Sequence, residues 1–210
     1  NIPESGYSTS FSEADLNALI SIWGREDDKG YITYKKEYDQ YSFYNLGDGN
    51  YSIKTNVGLE NISKVNSLKF KDKEIKVKED IINTFDQITG IYDASGEMFR
   101  IYNAAFSRFP DNDGLKYWIK QYSEGLDNHE IVSKSFLGSN EFIQKYGSNL
   151  SNEEFVEKLY INVLGRTYDQ EGYNYWTGNL NNNVEQRWSV LWNISQSNEN
   201  ITHFKDISGL

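Results

Sequence analysis

Two short stretches carry the densest chemistry in this sequence. One runs Phe109-Pro110-Asp111-Asn112-Asp113-Gly114-Leu115-Lys116-Tyr117-Trp118, and the other Thr167-Tyr168-Asp169-Gln170-Glu171-Gly172-Tyr173-Asn174-Tyr175-Trp176. Each follows an arginine, Arg108 or Arg166, and sets two acids and a glycine before a Tyr-Trp pair. Carboxylates around a glycine can ligate calcium, aromatic rings can stack on sugars, and an arginine can clasp a carboxylate across a helical corner. A calcium loop of the EF-hand kind needs oxygens at positions 1, 3 and 5, Gly at 6 and Glu at 12. With Asp111 at position 1, Gly114 falls at 4 and Tyr122 at 12; in the second stretch Leu180 falls at 12. The spacing favours the corner and leaves calcium as the weaker alternative. Asp111 and Asp169 are then expected to take the orphan amides of a helix start, with Arg108 and Arg166 clasping them. Neighbours on a helix diverge by about 100°, so Trp118 and Trp176 are expected inward, with Tyr117 and Tyr175 at the rim.

Beyond these stretches the search for reaction chemistry finds no constellation. The chain has no cysteine, which excludes disulfides, thiolate zinc sites and thiol nucleophiles. Its two histidines, His129 and His203, have no ligand spacing. There is no nucleophile elbow and no phosphate-binding loop, and no glycosidase carboxylate pair can be named. Gly47-Asp48-Gly49 reads as a tight turn. A non-enzymatic protein with no cofactor is therefore expected. Net charge is -10 with no cluster of cations, which opposes nucleic-acid binding. No apolar run approaches the roughly 18 residues of a membrane span. A first residue of Asn rather than Met fits a processed chain or a fragment, so the lack of a signal peptide says nothing about location.

The elements that must hold the two stretches can be read from pattern. Ser10-Phe11-Ser12-Glu13 fits a capping box before Leu16, Leu19, Ile20 and Trp23, a short amphipathic helix stopped by Gly24. Tyr41 to Tyr44 and Tyr51 to Lys54 alternate around Leu46 to Asn50 as a hairpin, and Leu68, Phe70, Ile75 and Val77 alternate around a second turn. The two hairpins predict one small antiparallel sheet over about 40–78, backed by a helix through Ile81, Ile82, Phe85 and Ile88 that Gly90 ends. From 91 onward the chain repeats itself. At an offset of 58, residues 98–146 align without a gap to 156–204, and eleven pairs are identical, among them Tyr102/Tyr160, Arg108/Arg166, Asp111/Asp169 and Glu141/Glu199. Each copy reads as a long helix, an acidic turn, a second helix and one or two shorter ones. Ser139-Asn140-Glu141 and Ser197-Asn198-Glu199 read as caps of the last. The fold class is α+β and mainly α: a segment over 1–90 with a helix and a small sheet, then helical repeats at 91–150 and 151–210.

The pattern Leu159-Tyr160, Gly165-Arg166, Asp169, Glu171-Gly172, Tyr175-Trp176, Leu180 and Ser197-Asn198-Glu199 strongly resembles the bacterial domain-of-unknown-function 4214 family. The first copy resembles it through Tyr102, Arg108, Asp111, Asp113-Gly114, Tyr117-Trp118 and Ser139 to Phe142, so the resemblance spans roughly 92–208. It implies an all-helical module, distantly similar to phycobilisome linker domains, that often sits in large secreted proteins with RTX-type calcium repeats or surface-layer regions. The upstream β segments resemble those that precede the module in such proteins. The RTX nonapeptide itself is absent, and the family supplies no catalytic residues. Ser107 stands where the family usually has Gly before the Arg, which bears on how tightly the first corner turns. The resemblance implies a non-enzymatic module of structural, assembly or adhesive use, extracellular or on the cell surface, with protein partners or self-assembly. A filament, appendage or virion subunit, an intracellular linker-type scaffold and a polysaccharide-binding module stand as alternatives.

Overall fold

The computed structural model describes residues 30–210; the helix expected between Ser10 and Gly24 lies outside them. The fold is α+β and mainly α. Six short strands come first: β1 (Tyr31–Thr33), β2 (Phe43–Asn45), β3 (Tyr51–Thr55), β4 (Gly58–Asn61), β5 (Ser67–Lys69) and β6 (Glu74–Lys76). Both hairpins are present, but they do not share one sheet. Each recruits a third strand of its own. β2, β3 and β4 form an antiparallel sheet with Phe43 opposite Ile53, while β5 pairs antiparallel with β6 and parallel with β1. Rings join the two sheets: Phe70, just after β5, lies 6.4 Å from Phe43 and 5.3 Å from Tyr38. The loop between β2 and β3 closes through Leu46 N–H to Asn50 O at 2.8 Å, and Gly47, Asp48 and Gly49 all take positive φ. Two glycines there remove most of the steric cost of that conformation.

A π-helical turn (Val77–Ile82) runs into α1 (Asn83–Phe85), burying Ile81, Thr84 and Phe85. This helix ends at Asp86, short of the expected Gly90: the amides of Gln87 and Ile88 bond back only three residues, to Thr84 and Phe85, which tightens the chain into a turn.

Eight helices follow, in two sets of four. The first set is α2 (Ala94–Phe106), α3 (Asn112–Ser123), α4 (His129–Leu137) and α5 (Asn140–Tyr146); the second is α6 (Asn152–Leu164), α7 (Gln170–Asn181), α8 (Arg187–Ser195) and α9 (Asn198–Ser208). Every start in the first set recurs 58 residues later, and so do the ends of the first three helices. Local chemistry fixes the boundaries. Asp93, Asn128, Ser139, Ser151 and Ser197 each accept a backbone amide at a helix start, and Ser151 with Glu154 forms a full capping box. The long first helices stop at Ser107 (φ 49°) and Gly165 (φ 66°), both left-handed. The corner is therefore equally tight in both copies, although Ser107 adopts this conformation against its Cβ.

Within each set the first helix packs on the second, third and fourth, and α4 packs against α8 across the copies. Arg100 of α2 is buried and donates to Gln196 Oε1 and to Ile91 O, tying the first copy to the turn after α8. Phe109 is the hub of the core. Its ring lies 5.2 Å from Phe43, 5.0 Å from Phe85 and 5.7 Å from Phe99, and Phe99 continues to Phe204 at 5.4 Å. One aromatic chain thus links the β-module, the first copy and the last helix.

Candidate functional site

The corner after α2 is built from six residues. Arg108 Nη2 lies 2.7 Å from Asp111 Oδ2, and the same oxygen accepts the Tyr102 hydroxyl at 2.8 Å. Arg108 also grips Glu141 with two parallel bonds, Nε to Oε1 at 2.5 Å and Nη2 to Oε2 at 2.9 Å, and donates Nη1 to Phe109 O at 3.0 Å. Gly114 lets Tyr102 reach in: a Cβ there would stand 2.8 Å from its hydroxyl oxygen. The second corner repeats the plan. Arg166 holds Glu199 at 2.6 and 2.9 Å and Asp169 Oδ2 at 3.4 Å, and a Cβ on Gly172 would collide with the Tyr160 hydroxyl. The spacing of Gly114 and Gly172 after the Arg therefore serves a tyrosine, not a positive φ.

The electrostatics follow from these partners. Burial alone would lower the Arg108 guanidinium, yet the bonds to Glu141 and Asp111 push it well above its ordinary value. Burial alone would raise Asp111, but the Arg108 bond and charge hold it below the usual carboxylate range. Burial pushes the Tyr102 phenol up, so it stays a donor. At the second corner the Gly172 amide and then Arg166 hold Asp169 low, and the Arg166 bond holds Glu199 low. Asp111, Asp169 and Glu199 are thus ionised partners of an arginine at neutral pH. None of these carboxylates is placed as a general acid.

Several sequence expectations change here. Asp111 does not cap α3: Arg108 and Tyr102 compete for its carboxylate, and no side-chain bond to the helix amides is made. Asp169 does cap α7, accepting Gly172 N–H at 2.8 Å. Trp118 and Trp176 are half-buried, not core. The fully buried position of α3 is Leu115, one turn earlier, and the Trp118 indole lies on the edge of that face, 5.0 Å from Phe136. Tyr117 and Tyr175 are exposed, each standing edge-on to its neighbouring indole at 5.0 and 4.9 Å. Asp113 and Glu171 are exposed in the first turns of α3 and α7, where they face the positive helix end. Glu141 and Glu199, read as caps, are instead the second jaws of the clasps. Their identity in both copies was the sequence signal.

The two corners differ in cover. The Arg108 side chain is 13% exposed and Arg166 40% exposed. The β-module, seated on Phe109, shields the first corner; Thr167 occupies the matching position in the second and is exposed. Where the β-module meets both copies a cleft of about 650 Å³ remains. Tyr41 to Tyr44 and Lys54 form one wall, the ends of α2 and α6 (Asn103, Ser107, Asn162, Gly165) the floor, and His203 and Asp206 of α9 the other wall.

Among the described residues no group of three or more His, Cys, Asp or Glu could hold a metal ion, and no helix is long and apolar enough to cross a membrane. No curated protein and no solved structure matches the chain. A family model, described as "Domain of unknown function (DUF4214)", matches residues 133–204. That span is about a third of the chain and covers the end of α4, all of α5 to α8 and most of α9; the first corner, Arg108 to Trp118, lies outside it. It includes both glutamates of the clasps, Glu141 and Glu199, and the whole second corner from Tyr160 to Trp176. The second helical repeat, with the end of the first leading into it, is thus the part of the chain that is similar to the DUF4214 family.

Proposed function

We propose that the protein is a non-enzymatic module of an exported bacterial protein, used for assembly or adhesion at the cell surface. What supports the reading is the fate of the repeated polar residues. In both copies the arginine, the aspartate and the glutamate are consumed in one clasp that fixes the angle between helices, so the residues written twice are spent on shape. A corner of this kind makes a stiff unit suited to repetition and display. The acidic, cysteine-free composition suits export in a reducing or oxidising setting alike. Fractionation of the native producer, with an antibody to this chain, is expected to place it in the surface or medium fraction. Recovery in the soluble cytoplasm refutes the location, and turnover of any substrate lost on mutating the cleft refutes the non-enzymatic role.

A further inference from the structure

We infer that the cleft between the β-module and the two helical copies is a binding site for a short neutral oligosaccharide. Its volume of about 650 Å³ lies within the range of small-molecule sites, about 300–1,000 Å³. Its charges balance: Asp39 is paired with Lys145 at 3.0 Å, Arg108 spends Nε, Nη1 and Nη2 on the clasp and on Phe109 O, and Lys54 is left against Asp206. An anion therefore finds no free guanidinium there.

The remaining polar groups suit hydroxyls. Asn103 and Asn162 lie on the floor, each with its amide nitrogen committed, to Arg108 O at 3.1 Å and to the Tyr146 hydroxyl at 2.8 Å. Those bonds fix the orientation of two side-chain carbonyl oxygens, which remain as acceptors. The ends of α2 and α6 both reach the cleft, and the last carbonyls of a helix have no partner within it. Hydroxyl donors match this row of acceptors. Gln40, Ser42 and His203 add groups that can donate as well as accept. Tyr44 is half-buried on the wall and touches no other ring among the described residues, leaving a face for the C–H side of a sugar. Hydroxyl recognition needs both fixed acceptors and an aromatic platform, and the cleft brings them together from three parts of the chain.

This inference deepens the adhesive part of the proposed function and rests on that reading only for the source of the ligand. The test uses the full chain and a panel of neutral trisaccharides (maltotriose, cellotriose, chitotriose and xylotriose), with heparin fragments and inorganic phosphate beside them. Saturation-transfer NMR finds the binder and titration calorimetry measures it. Gln40→Ala with Tyr44→Ala is expected to raise Kd at least tenfold, and Ser42→Trp, which fills the cleft mouth, to abolish binding, both with an unchanged circular-dichroism spectrum. Tyr117→Ala with Tyr175→Ala, on the outer face, is expected to leave binding intact. Failure of every neutral sugar to bind, binding only of heparin fragments or phosphate, or loss confined to the Tyr117/Tyr175 variant overturns the proposal. None of these outcomes depends on where the native protein resides.

Discussion

The two clasps form an internal experiment. Arg108–Glu141 and Arg166–Glu199 have almost the same geometry, with contacts of 2.5 and 2.9 Å against 2.6 and 2.9 Å, yet the first arginine is 13% exposed and the second 40%. Glu141→Gln and Glu199→Gln each remove one negative charge while keeping the side-chain shape. At the covered corner the guanidinium keeps only Asp111 as a charged partner and has little water to compensate, so the cost is about 2 kcal/mol. At the open corner water and salt replace most of what is lost, and the cost stays below about 1 kcal/mol. Urea unfolding followed by tryptophan fluorescence and far-UV circular dichroism, with coincident curves, measures both. In 1 M salt, where the screening length is about 3 Å, the Glu199→Gln cost is expected to shrink further while the Glu141→Gln cost persists. Equal costs for the two variants would show that geometry, not cover by the β-module, sets the strength of the clasp, and the reasoning fails.

Three further outcomes are expected. Ser107→Gly relieves a left-handed serine at φ 49° and should stabilise the protein by about 1 kcal/mol, read as a higher urea midpoint, whereas Gly165→Ser should destabilise it. Phe109→Ala removes the ring shared by Phe43, Phe85 and Phe99 and should cost about 3–5 kcal/mol; limited proteolysis should then release the β-module first. Asp111, Asp169 and Glu199 all titrate below their ordinary values in the folded protein, so their contribution is present above the ordinary 3.8 and 4.5 and is lost as pH falls through the lower folded values. The urea midpoint should therefore hold on acidification to about pH 4.5 and drop below it, with a smaller drop in Arg166→Gln.

What the sequence disclosed depended on range. The starts of α5, α7 and α9 were legible because their determinants are local: Ser139, Asp169 and Ser197 each lie three residues from the amide they take. The offset of 58 was legible because the same local determinants are written twice. The glutamate jaws were not assigned, since Arg108 and Glu141 are 33 positions apart and nothing in their immediate neighbours points across that gap. β1 and β4 were missed for a different reason. β1 has three residues and pairs in parallel with a strand far along the chain, and β4, Gly58-Leu59-Glu60-Asn61, is a half-polar edge strand with no alternation to detect. The indoles were overestimated as core because helical spacing gives the side of a helix, not how far a neighbour covers it; Phe136 meets Trp118 on one edge only. The cleft was invisible for the same reason, being assembled from segments that meet only after folding.

α9 lies against β2 so closely that a side-chain carbon on Gly209 would stand 2.6 Å from Asn45 O. The β2–β3–β4 sheet is therefore met by residues synthesised last among those described. Contacts that span so much sequence form late, because closing so large a loop precedes any reward from the contact. During synthesis the contact between β2 and α9 therefore cannot be completed until residue 209 has been made.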